Sequence, residues 1–274
     1  MSGIARLLTK WLPDPPAPSD PGPIHLDAAA LDSATVALAN AARETVRMAD
    51  MVEAMLQDTL EVIRRDDRGR ASTVAQWSRC IEQLGTAIRR YLANVGDEQT
   101  LDDQFEGARG QDILSAVINL EHISDIVQNS LVEFAVRSAK RGETLSAEEL
   151  ETITVMMREL HDSVHLALAV FLHAETRDAE RLVARKGVFR EFEVAATTLS
   201  VRLLRSAAMA SRAADTNAAE RVAQETGMFL RMVRDLRRIH SHLASFAYPA
   251  LNRQRAAANL PAAVNGGTGA DGVA

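Results

Sequence analysis

The residues of this sequence best suited to do chemistry are two carboxylates, Glu121 and Asp125, which stand four positions apart within residues 119–126. Because residues i and i+4 lie on the same face of a helix, the two side chains can converge on one cation. Carboxylate oxygens are hard ligands that suit Mg²⁺, Mn²⁺, Ca²⁺ or iron. The spacing therefore makes these two carboxylates candidate ligands for one cation.

A near-relative of this stretch returns later in the chain, at residues 235–242. Leucine and isoleucine occupy the same places in both stretches, whereas Arg237 and Ser241 stand where the first copy has its carboxylates. This pattern indicates that one helical unit was duplicated. It also indicates that the second copy lacks the carboxylate pair.

Histidines provide a second candidate metal site. His161 and His165 have the i, i+4 spacing that places two imidazoles on one helix face, and Asp162 is adjacent. A surface or capping role for these histidines is the alternative, and it stays open at this point. His240 and His242 are two residues apart, which puts their rings on different faces, so we do not expect a paired metal site there.

The composition excludes several function classes. The net charge of −6 argues against a broad nucleic-acid interface, which needs a basic face. A single cysteine, Cys80, excludes an intrachain disulfide and a cysteine-based zinc cluster and favours a cytosolic location. The sequence has no phosphate-cradling glycine loop, nucleophile elbow or HExxH helix, so we expect no enzyme activity.

Proline placement and apolar spacing predict long helices. Six of the eight prolines lie within residues 13–23, and the next is Pro249, which leaves the region between free for helix formation. Apolar residues there recur at spacings of three and four, the pattern of helices packed in antiparallel bundles. The six predicted helices cover about residues 33–64, 71–94, 111–140, 146–175, 178–212 and 216–247. The residues expected in the core include, on the fifth helix, Leu182, Val188, Phe192, Ala195, Leu199 and Leu203, and, on the sixth, Phe229, Leu236 and Ile239.

These helices predict an all-α fold of two tandem antiparallel three-helix bundles. Residues 1–32 form a short amphipathic segment and a proline-rich linker, 33–143 the first repeat, 144–251 the second, and 252–274 a disordered tail. Ser146 is the expected N-cap of the fourth helix, since acidic residues follow it in the first turn. Residues 1–12 form either a helix that touches a membrane surface or a partner, or a frayed start.

The architecture, with residues 119–125 on its third helix, resembles the PhoU family. More narrowly, it is similar to the cytosolic PhoU-like C-terminal domain of bacterial sodium/phosphate cotransporters. The resemblance rests on residues 42–56 in the first helix, on 119–123, and on 234–251 at the end of the sixth helix. These stretches bracket residues from about 27 to 251.

The resemblance implies metal binding by acidic pairs on paired helices at the bundle surface. Helix two then supplies Glu82 beside Glu121 and Asp125, whereas Ser78 stands where a fourth carboxylate is expected. These three carboxylates are the predicted ligands for a divalent metal ion or iron. The alternative is that they are solvated rim residues.

In the second repeat, the positions that correspond to the predicted metal ligands carry side chains that cannot hold a cation. We expect them either to pair with Glu191, Glu193 or Asp235, or to contact an acidic or phosphate-bearing surface. These positions are Lys186, Arg190, Arg237 and Ser241.

The function implied is that of a non-enzymatic regulatory or interaction domain in sodium-dependent inorganic phosphate transport. Its expected partner is a membrane phosphate transporter of the sodium/phosphate cotransporter type, and its expected location is the cytoplasmic face of the membrane. A metal-binding helical protein that uses the rim carboxylates and a purely structural helical adaptor are the alternatives. Homodimer formation stays open, as does the question of a stand-alone protein or the tail of a longer transporter.

Overall fold

The computed structural model describes residues 22–65, 67–95, 103–142, 144–211 and 216–259. Helices account for nearly all of these residues, and no strand occurs among them. The α-helices are α1 (Ala34–Arg65), α2 (Arg68–Leu92), α3 (Asp103–Ile126), α4 (Glu133–Lys140), α5 (Ala147–His173), α6 (Thr176–Ser211), α7 (Thr216–Ala244) and α8 (Tyr248–Asn259).

Two short connections make longer rods of these segments. A π-helical turn, Val127–Val132, continues α3 into α4, and a 3₁₀ turn, Ser245–Ala247, continues α7 into α8. The backbone stays in the right-handed helical region on both sides of the π turn. The described residues therefore form six long rods, as predicted.

The rods pack as two three-helix bundles. Helices α1, α2 and α3 contact one another in the first bundle, and α5, α6 and α7 do so in the second. The bundles meet along two further contacts, α1 with α5 and α3 with α7. The prediction of an all-α fold built from two such bundles is confirmed. Within the described ranges, no helix has the length and hydropathy that a membrane span requires.

Local sequence explains where α5 begins. The Ser146 hydroxyl accepts a hydrogen bond from the Glu149 N–H at 3.3 Å, and the Glu149 carboxylate accepts one from the Ser146 N–H at 2.9 Å. This reciprocal arrangement satisfies N–H groups that the first turn of a helix leaves without partners. The expected N-cap at Ser146 is confirmed.

The buried face of α6 agrees with the expected one at Leu182, Phe192 and Leu199 and differs from it at two positions. Val188 and Ala195 were expected in the core, but both are exposed, and Phe189 and Ala196 are buried instead. The buried stripe repeats every seven residues from Leu182, the spacing of a bundle seam. Two apolar faces compete on this helix, and only packing against α5 and α7 decides between them.

The chain before α1 lies against the first bundle. The fully buried carboxylate of Glu44 accepts hydrogen bonds from the backbone N–H groups of Ile24 at 3.1 Å and His25 at 2.8 Å. Arg47 donates both to Glu44 and to the Gly22 carbonyl. The buried charge of Glu44 is thus paired and hydrogen-bonded, as burial requires. The predicted amphipathic segment, residues 1–12, lies outside the described residues.

The last helix extends further than expected. We expected a disordered tail from residue 252, but α8 is helical through Asn259. Pro249 is compatible with this helix because it stands in the first turn, where a missing N–H costs no hydrogen bond. Arg253 donates to Asp112 of α3 at 2.7 Å, which ties α8 to the first bundle. Residues 260–274 lie outside the described residues.

His240 of α7 is a polar residue inside the second bundle. Its ring is 1% exposed and stacks on Phe189, with the ring centroids 4.3 Å apart, and its Nε2 atom has no hydrogen-bond partner. Burial, together with the charges of Lys186 and Arg185, lowers the pKa of His240 from 6.5 to about 4. The imidazole is therefore neutral in the folded protein at neutral pH.

The buried histidine makes stability depend on pH. Between pH 6.5 and about 4 the unfolded chain binds a proton at His240 that the folded chain does not bind, so the free energy of unfolding falls as the pH falls. A shift of this size corresponds to about 3 kcal/mol. Urea denaturation across this window should show a clearly smaller pH dependence in His240→Leu than in the wild type.

His173→Leu is the matched control, since His173 is exposed at the end of α5 and should leave the pH dependence unchanged. Some dependence should remain in His240→Leu because burial also lowers the pKa of His242. The same pH dependence in His240→Leu and the wild type would contradict this account.

Candidate functional site

The rim of the first bundle carries a charge pair between α2 and α3. Arg89 donates from Nη1 to both carboxylate oxygens of Glu121, at 2.7 and 2.6 Å. The Glu121 side chain is 19% exposed and that of Arg89 is 40% exposed. The most central of the predicted metal ligands therefore already has a cationic partner.

A glycine makes room for this carboxylate. A Cβ atom at Gly85 of α2 would lie 2.0 Å from Oε1 of Glu121 and 2.8 Å from its Cδ. Contacts this short do not occur, so any larger residue at position 85 must displace the Glu121 side chain. The close approach of α3 side chains to the α2 backbone thus depends on Gly85.

The other predicted ligands are not gathered around Glu121. Glu82 and Asp125 are exposed, and Ser78 accepts a hydrogen bond from the hydroxyl of Ser124 at 3.1 Å. Within the described ranges, these carboxylates do not form a group of three with ligand atoms within 4.8 Å of one another. Metal binding by Glu82, Glu121 and Asp125 stays a prediction, and it requires Glu121 to turn away from Arg89.

The rim of the second bundle also carries an ion pair between its second and third helices, and Arg237 takes the position of Glu121. Arg237 of α7 is paired with Glu193 of α6, the kind of pairing expected for the cationic residues of this repeat. Lys186 donates to the hydroxyl of Tyr248 at 2.7 Å and lies 5.2 Å from the centre of its ring. Lys186 and Arg237 thus both interact with side chains of their own bundle.

The two copies of the duplicated unit contact each other. Nδ1 of His242 lies 3.0 Å from Oδ1 of Asn119, a hydrogen-bond distance, and the His242 ring meets the His122 ring edge-on at 5.0 Å. These contacts join α7 to α3 across the boundary between the bundles. His240 points into the core instead, so the two histidines share no face, as their spacing predicted.

His161 and His165 lie at the other boundary between the bundles, where α5 contacts α1. Both of their Nε2 atoms face the same carboxylate oxygen of Glu53, a residue of α1. Sequence reasoning singled out the two histidines by their spacing but missed Glu53. No local signal could have found it, because the contact joins the first helix of one repeat to the first helix of the other.

Two glycine-to-alanine substitutions, one at Gly85 and one at Gly187, test whether Glu121 lies against the α2 backbone. Gly187→Ala in α6, where the added Cβ meets open space, should raise the free energy of unfolding by about 0.5–1 kcal/mol through helix propensity. Gly85→Ala should gain less or lose stability, because its Cβ displaces Glu121 from Arg89, a pair worth about 1 kcal/mol or less. Urea denaturation measures both changes.

A double-mutant cycle tests whether the Glu121 side chain is the reason that Gly85→Ala stabilises less than Gly187→Ala. In a Glu121→Ala background the displaced carboxylate is gone, so Gly85→Ala should stabilise about as much as Gly187→Ala does. If Gly85→Ala and Gly187→Ala stabilise the wild type equally, the close approach of Glu121 to the α2 backbone does not exist in solution.

Comparison with known proteins agrees with this architecture. Residues 45–131 match the family model described as the PhoU domain. The fold is similar to that in the crystal structure of PhoU from Pseudomonas aeruginosa, with a TM-score of 0.69 and 17% sequence identity. That similarity covers 81% of this chain and 99% of the other chain.

Curated relatives are named as putative inorganic phosphate export protein YjbB. The protein from Escherichia coli (strain K12) is 34% identical over 168 residues, which is 61% of this chain and 30% of the relative. The protein from Salmonella typhimurium (strain LT2) is 29% identical over 231 residues, 84% of this chain and 40% of the relative. The chain thus spans less than half the length of these relatives, and its residues 45–131 match the PhoU domain model.

Proposed function

We propose that this chain is a non-enzymatic regulatory domain that acts on the transport of inorganic phosphate across a membrane. The observation that carries the proposal is the similarity over 168 residues to proteins named for inorganic phosphate export. The PhoU domain match at residues 45–131 falls in the first bundle, around the Glu121 rim. Fold alone does not determine function, so the proposal rests on the sequence similarity.

The proposed partner is a membrane phosphate transporter of the sodium/phosphate cotransporter type, with the domain on its cytoplasmic side. Support comes from the relatives, since 60% or more of their length lies outside the part that this chain matches. A domain of this kind therefore works in company with further protein, either in the same chain or in another.

The outer face of α6 is the surface that we assign to the transporter. We define this face by Val194, Thr198, Val201, Arg205 and Met209, which follow one side of the helix. Val194 is 62% exposed and Met209 is 76% exposed. Exposed apolar side chains aligned along one helix are typical of surfaces that bind another protein. The unmatched part of the relatives indicates the occupant, protein belonging to the transporter.

This assignment predicts the effect of placing charge on the outer face of α6. Val194→Glu together with Val201→Glu should leave the helical circular dichroism unchanged, because both side chains are exposed, and should abolish co-purification with the membrane phosphate transporter of the host cell. Val36→Glu is the matched control, since Val36 is an exposed valine of α1 at 49% exposure. Equal recovery of the transporter with all variants would rule out this face.

Phosphate flux tests the function itself. Radiolabelled phosphate efflux and uptake are measured in cells with and without the gene, in the presence and absence of a sodium gradient. We expect a change in flux that depends on sodium, with efflux affected at least as strongly as uptake, in line with the export named for the relatives. If neither flux changes and no transporter co-purifies, the chain is a structural adaptor and the proposal fails.

A further inference from the structure

A cluster of three potential metal ligands lies at the boundary between the two bundles, away from the rim. Glu53 comes from α1, and His161 and His165 come from α5. Nε2 of His161 lies 2.7 Å from Oε1 of Glu53, and Nε2 of His165 lies 3.3 Å from the same oxygen. Among the residues that the structure describes, this is the group of three whose ligand atoms all lie within 4.8 Å of one another.

The arrangement of the donor atoms suits a metal ion. The two imidazoles stand one helical turn apart with their centroids 4.7 Å from each other, and both direct the same type of nitrogen towards one carboxylate. A single hydrogen-bonded His–Glu pair needs only one of them. Two imidazoles and one carboxylate are the protein ligands of a tetrahedral Zn²⁺ site that keeps one position open for water.

The surroundings of the cluster also favour a cation. Oδ1 of Asp162 lies 3.7 Å from Nδ1 of His161, on the side of the ring that faces away from Glu53. The carboxylates of Asp162 and Glu53 thus place negative charge on two sides of the His161 ring, which favours a cation there.

We propose that Glu53, His161 and His165 bind one divalent transition-metal ion of the Zn²⁺ class, and that the ion joins the first bundle to the second. Two nitrogen ligands and one oxygen ligand suit Zn²⁺, Co²⁺ or Ni²⁺ better than Mg²⁺ or Ca²⁺, which take oxygen ligands. The site is distinct from the predicted rim site in donor type and in location. Because its ligands come from α1 and α5, the bound ion strengthens the contact between the bundles.

Metal titration of the full chain tests this site. The protein is prepared without a histidine tag, treated with a chelator, and titrated with Zn²⁺ by calorimetry and with Co²⁺ by visible absorption. We expect saturable binding of one ion per chain, with the strong visible absorption of tetrahedral Co²⁺. Glu53→Gln, His161→Ala and His165→Ala should each weaken binding by about tenfold or more, since even changes behind the ligands have effects of that size.

Two controls make the result specific. His173→Ala removes an exposed histidine from the end of the same helix and should leave the affinity unchanged. Glu121→Gln combined with Asp125→Asn removes the predicted rim ligands and should also leave it unchanged. If binding is lost in this double variant and kept in His165→Ala, the ion belongs to the rim and the proposal is wrong.

Unfolding midpoints measured with and without Zn²⁺ distinguish a variant that has lost the metal site from one that has lost its fold. Zn²⁺ should raise the unfolding midpoint of the wild type and of His173→Ala, because an ion that binds only the folded chain stabilises it. The midpoint of His165→Ala should not respond to Zn²⁺, while its helical circular dichroism without metal should match the wild type, since the side chain is 57% exposed. Absence of saturable binding, or an equal response to Zn²⁺ in all variants, would overturn the proposal.

Discussion

The packing of one bundle against the other is the constraint on which the rest of the structure depends. Helix α1 contacts α2 and α3 within its own bundle and α5 of the other, so it is buried on more than one side and has little freedom to turn. It buries Met48 and Met55 completely, and α5 buries Met156 in the same continuous core. Methionine adapts its shape to irregular gaps, which suits a boundary between two units that are related but not identical. One apolar core therefore spans both repeats.

Each bundle has an ion pair on its rim, and the sign of the charge on the third helix differs between the two bundles. Arg89 meets Glu121 in the first bundle, and Glu193 meets Arg237 in the second, in each case between the second and third helices of the bundle. Both repeats thus neutralise a partly buried charge on the third helix with an opposite charge on the second. Partly exposed pairs of this kind contribute little to stability. Their common place indicates that the rim fixes how the two helices lie together, and that the carboxylates of the first copy are first of all structural.

Much of the fold was predictable because each helix carries its own periodic signal. Phe229, Leu236 and Ile239 of α7 were predicted in the core from their spacing alone, and all three are buried. Val188 and Ala195 of α6 were mispredicted because that helix has a second apolar face, and local sequence does not say which of two apolar faces a neighbour will cover. The site was less predictable for a related reason. The spacing of His161 and His165 is visible in the sequence, but Glu53 becomes their neighbour only through the packing of the two bundles.

Helix α1 connects the features that bear on function. The chain that enters the fold is held by Glu44, the first bundle packs on the helix along its length, and Glu53 faces the two histidines of the second bundle. Residues 44 and 53 lie on one rigid rod, at about 1.5 Å of axial rise per residue. A force applied through the entering chain therefore reaches the boundary between the bundles through a single helix. A cation held between α1 and α5 would oppose any sliding of the bundles, because it would tie the first helix of one bundle to the first helix of the other.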